Sequence, residues 1–192
     1  MRRRMPPRTK RAAPRTRGHQ HKTRSPGDLP LGLTLYYYPR ARRLTPNGKD
    51  LGLVGEVTSV NTAFIDLLLK NGMMPVIAPI AVGENGEIYN VNADLAAGAI
   101  ASALKAEKLV YLSDIEGIVL NGKRVSTLTR ASGAALIKEG AIFGGMIPKV
   151  TSAFDTLDTG VRKVHIIDGR VKHSLLLEIF TDAGIGTQMV HE

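Results

Sequence analysis

The sequence predicts an α/β fold, a three-layer αβα sandwich around a mainly parallel sheet. From Asp50 onward, short apolar runs alternate with segments of helical periodicity, the texture of helices packed between strands. Several runs, KLVYLS at 108–113 among them, are apolar enough for strands covered on both faces. Charge separates this part from what precedes it. Residues 1–49 hold 14 Lys/Arg against one acid (net +13), whereas residues 50–192 hold 12 against 16 (net −4). The overall +9 thus belongs to an N-terminal segment, and the expected division is 1–49 as a basic, Pro-rich tail and 50–192 as the domain.

Residues 1–27 combine dense positive charge with four prolines and almost no large apolar side chain, which predicts disorder. They lack the apolar centre of a signal peptide, and Pro6, Pro7 and Pro14 break the helix that a transit peptide needs. LTLYYY, between Pro30 and Pro39, predicts one short strand. Next come a strand at 54–59 and a helix at 61–71, with Phe64, Leu67 and Leu68 on one face and Gly72 as its stop. An apolar run at 74–82 contains Pro75 and Pro79. Glu84-Asn85-Gly86-Glu87 then marks a hairpin flanked by Val82 and Ile88. A helix at 93–105, the strand at 108–113 and a short edge strand at 123–125 follow. Helices at 130–139 and 148–158, a strand at 164–167, a helix at 173–180 and a strand at 186–190 complete the order.

Composition sets limits on function. The chain has room for one ordinary domain, and no apolar run approaches the roughly 20 residues of a membrane-spanning helix. Cysteine is absent, which excludes disulfides and thiolate metal sites, and the five histidines lack metal-ligand spacing.

Three junctions carry candidate chemistry. In Tyr89-Asn90-Val91-Asn92-Ala93-Asp94, Asn90 or Asn92 can cap the next helix and Asp94 lies in its first turn. Ser113-Asp114-Ile115-Glu116-Gly117 follows a buried strand, at the carboxyl end where open α/β sheets bind ligands. Gly144-Gly145-Met146-Ile147-Pro148-Lys149 opens a helix with two glycines that admit close backbone approach, N–H groups suited to phosphate, and a mobile ammonium. Each is also ordinary cap or turn chemistry when taken alone.

Together, LGLVGEV (51–57), PVIAPIAV (75–82), YNVNAD (89–94), YLSDIEGI (111–118), GGMIPKV (144–150) and HIIDGR (165–170) resemble acetylglutamate kinase of the amino acid kinase family. The resemblance implies transfer of the ATP γ-phosphoryl group to the carboxylate of N-acetyl-L-glutamate, in arginine biosynthesis in the cytoplasm. Magnesium would travel with ATP, and no tightly bound cofactor is implied. On matching positions, Lys149 would stabilise the phosphoryl oxygens, Asp94 would orient lysines and Asn90 would bind acetylglutamate. Asp114, Ile115, Glu116, Gly117, Ile118 and Val119, with Ala141, Ile142 and Phe143, would border the nucleotide. No string like the family's lysine-and-glycine phosphate loop lies upstream of residue 50. The resemblance therefore implies a kinase domain truncated at its N-terminal half and inactive, or weakly active, by itself.

The alternative expectation is a regulatory module that binds nucleotide or arginine without catalysis. The stretch from His173 to Thr187 resembles the arginine-sensitive branch of the family, with Glu178, Gly184 and Gly186 as arginine-binding candidates and arginine as inhibitor. Homo-oligomers are the family's habit. Nucleic-acid binding through the arginines of 1–43 is not expected, because no recognition fold accompanies them.

Overall fold

The computed structural model describes residues 38–181 and 184–191. The segment expected to be disordered and nearly all of LTLYYY lie outside them.

A small sheet comes first: β1 (Arg40–Arg43), β2 (Val54–Ser59), β3 (Ile80–Val82) and β4 (Ile88–Val91), closed in the order β1-β2-β4-β3. β3 and β4 form the expected antiparallel hairpin, with Val82 opposite Ile88. β1 falls inside the segment assigned to the tail, yet it pairs with both β2 and β3. Its one apolar side chain, Ala41, is buried with Ala81, Tyr89, Val91 and Ala96 in a minor core. Three arginines around that alanine hide the strand from a hydropathy reading. Between β2 and β3 lies α1 (Ala63–Lys70). It ends as its glycine implies, with Gly72 donating to Leu69 and Met73 to Leu68 across a left-handed Gly72. Its buried residue is Ile65, while Leu67, placed on the apolar face by periodicity, stays half exposed.

The larger sheet runs β5-β9-β10-β8, from β5 (Lys108–Ser113), β9 (Lys163–Asp168), β10 (Thr187–Met189) and β8 (Thr127–Leu128). β5 and β9 are parallel in unbroken register from Lys108 opposite Lys163 to Ser113 opposite Asp168. β8 is parallel to β10, and β10 returns antiparallel to β9. A separate hairpin joins β6 (Val119–Leu120) to β7 (Lys123–Arg124) through Asn121-Gly122, both at positive φ as a type I′ turn requires.

Four helices attend this sheet: α2 (Ala93–Leu104), α3 (Arg130–Lys138), α4 (Met146–Asp158) and α5 (Ser174–Phe180). Successive side chains on β9 point to opposite faces. Val164 and Ile166 join Val150, Ala153 and Leu157 of α4 in the main core. His165, pointing the other way, meets Glu178 of α5. β9 is thus covered on both faces, the αβα arrangement expected, while Leu112 of the neighbouring β5 stays exposed. α2 packs on α4 so closely that a Cβ at Gly98 would come within 2.6 Å of Thr156 Oγ1. Among the described residues no helix is long and apolar enough to cross a membrane.

Candidate functional site

Because β5 and β9 are parallel and in register, they deliver their carboxyl ends side by side, and the loops that follow enclose a cavity of about 730 Å³. Residues 113–119 and 141–146 line it, with Lys149, Asp168 and Arg170. All nine residues expected to border a nucleotide are among these. Gly117 turns the first loop at φ +117, with Thr187 of β10 packed against it. Thr187 Oγ1 accepts from the Ile118 N–H at 2.8 Å and donates to the Val125 carbonyl at 2.7 Å, pinning the loop to the sheet.

The second wall is the start of α4. The helix begins at Met146, two residues before the expected start, because the N–H groups of Met146 and Ile147 already close turns on Phe143 and Gly144. Among the described residues, the N–H groups of Gly144 and Gly145 make no such bond, so they are the donors left for a ligand. Ideal Cβ atoms on these glycines would meet nothing within 4 Å.

One helical turn on, Lys149 Nζ donates to Asp94 Oδ2 at 2.6 Å, linking α4 to α2. Asp94 is held from behind. The side chain of Asn92 caps α2 by accepting from the N–H groups of Asp94 and Leu95, and the Tyr111 hydroxyl donates to the Asp94 carbonyl. Asn92 is thus the cap of the two candidates. Asn90 sits earlier on β4, its side chain exposed and its backbone N–H bound to Leu53. Asp94 and Asn90 stand outside the cavity lining, and Lys149 connects Asp94 to it.

Sequence reasoning assigned no role to three residues here. Asp168, at the end of β9, accepts two bonds from the Arg170 guanidinium at 2.9 and 2.8 Å and one from the Arg170 backbone N–H. That clamp holds the Asp168 carboxyl at about 2, below its usual range. Tyr111 lies on β5 beneath Lys149, and burial pushes its phenol up. The legible signal for the clamp was position, since Asp-Gly-Arg follows a buried strand just as Ser-Asp does after β5.

A smaller cavity of about 390 Å³ gathers Glu178, Gly184 and Gly186 with His165, Lys108 and Lys163. Glu178 is buried, and its oxygens accept from His165 Nδ1 and from the Ile185 N–H. Facing an ionised carboxylate, which only accepts, His165 would carry its proton on Nδ1. Nε2 is buried without a hydrogen-bond partner among the described residues, and burial pulls the His165 pKa down. Among the described residues no cluster of three or more His, Cys, Asp or Glu could hold a metal ion.

Residues 28–168 match the model of the amino acid kinase family. The chain is 60% identical over 147 residues to the acetylglutamate kinase of Chlorobium limicola, covering 77% of this chain and 48% of that protein. To that of Chlorobaculum tepidum it is 59% identical over 148 residues, covering 77% and 52%. The chain thus spans about half the length of these curated relatives. Among solved structures, the N-acetylglutamate synthase of Neisseria gonorrhoeae, in complex with coenzyme A and L-arginine, superposes with a TM-score of 0.76. It shares 30% identity, over 81% of this chain and 37% of that one.

Proposed function

The chain belongs to the amino acid kinase family, and from that premise we propose that it carries the nucleotide-binding half of an acetylglutamate kinase. The reaction would move the γ-phosphoryl group of ATP to the side-chain carboxylate of N-acetyl-L-glutamate, giving N-acetylglutamyl 5-phosphate for arginine biosynthesis in the cytoplasm. The observation that carries this reading is the Lys149–Asp94 pair at the edge of a cavity bordered by two strand ends and a glycine-rich helix start.

The attacking carboxylate is ionised at neutral pH, so no general base is needed. What remains is alignment and charge neutralisation. The Gly144 and Gly145 N–H groups and Lys149 supply fixed and mobile positive charge for the phosphates, and Asp94 keeps the ammonium at the cavity edge. Asn90 would bind acetylglutamate from the neighbouring strand end. Magnesium prefers water and phosphate oxygens with one or two carboxylates. The nucleotide phosphates would therefore carry the ion, and Asp114 and Glu116 are exposed carboxylates on the cavity lining.

Arginine binding at Glu178 has less support. Both carboxylate oxygens already accept internal bonds, and Lys108 and Lys163 line the same cavity, where they oppose a cationic side chain.

The test supplies what the relatives have and this chain does not span. The full chain is mixed with the portion of the Chlorobium limicola enzyme outside the matched region, and acyl phosphate formed from N-acetyl-L-glutamate is trapped with hydroxylamine. ATP-dependent product is expected, and Lys149→Met should cut turnover by about a hundredfold or more while leaving folding intact. An assembled, folded complex that forms no acyl phosphate, or that is indifferent to Lys149→Met, would contradict the assignment.

A further inference from the structure

Tyr111 is a buried phenol that the proposed chemistry leaves without a task. It is 4% exposed, and it reaches both members of the Lys149–Asp94 pair. Its hydroxyl donates to the Asp94 carbonyl at 3.2 Å and lies 3.5 Å from Ser152 Oγ on α4. Its ring lies against Lys149, whose Nζ stands 5.2 Å from the ring centroid. We propose that Tyr111 is a positioning residue for Lys149, its ring face and the Asp94 carboxylate together holding the ammonium beside the cavity.

The physical need is plain. A lysine head rides on a flexible four-carbon stem, and one carboxylate partner fixes a distance without fixing a direction. An aromatic face attracts the cation while leaving N–H donors available for phosphate. The phenol suits this use better than a charged group would. Burial keeps it neutral, so the ammonium is steadied without being neutralised by a second anion. The hydroxyl also ties the ring to the backbone of Asp94, so both restraints on Lys149 move as one unit.

This proposal rests on the nucleotide reading of the cavity, and its test separates the two. The full chain is labelled with ¹³C-lysine, and the Lys149 resonances are identified by their loss in Lys149→Arg. An upfield ring-current displacement of the Lys149 side-chain methylene protons is expected, retained in Tyr111→Phe and lost in Tyr111→Leu. In binding, Tyr111→Leu should weaken Mg-ATP about tenfold and Mg-ADP much less, because the held ammonium serves the terminal phosphate. Tyr111→Phe should weaken Mg-ATP by less than about threefold. Undisplaced Lys149 resonances in the unmutated chain, or equal losses for both nucleotides in Tyr111→Leu, overturn the proposal. Should Tyr111→Leu fail to fold, the Tyr111→Phe variant and the unmutated spectrum still decide it. An unmutated chain that binds neither nucleotide contradicts the kinase reading instead, and the lysine resonances then judge the Tyr111 contact by themselves.

Discussion

Arg170 and Asp168 meet through a two-pronged guanidinium–carboxylate contact on the cavity lining, and the pair has a pH signature. The folded-state carboxyl titrates near 2 instead of 3.8, chiefly because the Arg170 side chain bonds the ionised form. A depressed carboxyl contributes stability above its unfolded pKa and loses it as pH falls through the folded one. The clamp should therefore support the fold fully at neutral pH and fade between about 3.8 and about 2. Acid unfolding followed by far-UV circular dichroism should show Arg170→Met with a flatter decline in stability than the unmutated chain across that window. Parallel declines would mean the contact contributes nothing. Of the candidate site, the loops at 113–119 and 141–146 were legible as strand-end and helix-start junctions, whereas the roles expected of Lys149 and Asp94 came from the family resemblance, since each motif alone is ordinary cap or turn chemistry. Tyr111 was not legible, since an aromatic inside an apolar strand looks like core until its hydroxyl and ring face have neighbours.

At the scale of elements, α2 matters most, because its first turn presents Asp94 to Lys149. Its cap is Asn92, accepting from two first-turn N–H groups at 3.0 and 3.1 Å. Asn92→Ala should cost roughly 0.5–2 kcal/mol in chemical denaturation and loosen the turn that holds Asp94. An unchanged midpoint would show that the cap is dispensable. β5 was legible to the residue as an apolar run between turns, but the burial expected on both its faces is not found: Tyr111 alone in it is buried and Leu112 stands 57% exposed. β1 was not legible, with one apolar residue among arginines, and β8 was missed because two residues carry no periodicity. The Asn121-Gly122 hairpin was missed, with only an edge strand expected at 123–125, although that dipeptide is a signal for a type I′ turn. The apolar run at 74–82 forms a strand only over Ile80–Val82. Pro75 and Pro79 remove donors from the preceding stretch, and Met74 and Val76 stand 88% and 96% exposed.

For the molecule as a whole, the parallel β5–β9 register sets the two ligand-facing loops side by side, and α2 and α4 bring the charged pair to their edge. The alternation of strands and helices predicted that arrangement, whereas the small sheet that precedes it depended on contacts between segments far apart in sequence. Isothermal titration of the full chain with Mg-ATP decides whether the cavity takes a nucleoside triphosphate. Saturable binding at about millimolar affinity or tighter is expected, weakened at least several-fold by Lys149→Met. A folded chain that gives no binding heat and no thermal stabilisation at millimolar Mg-ATP would contradict the account.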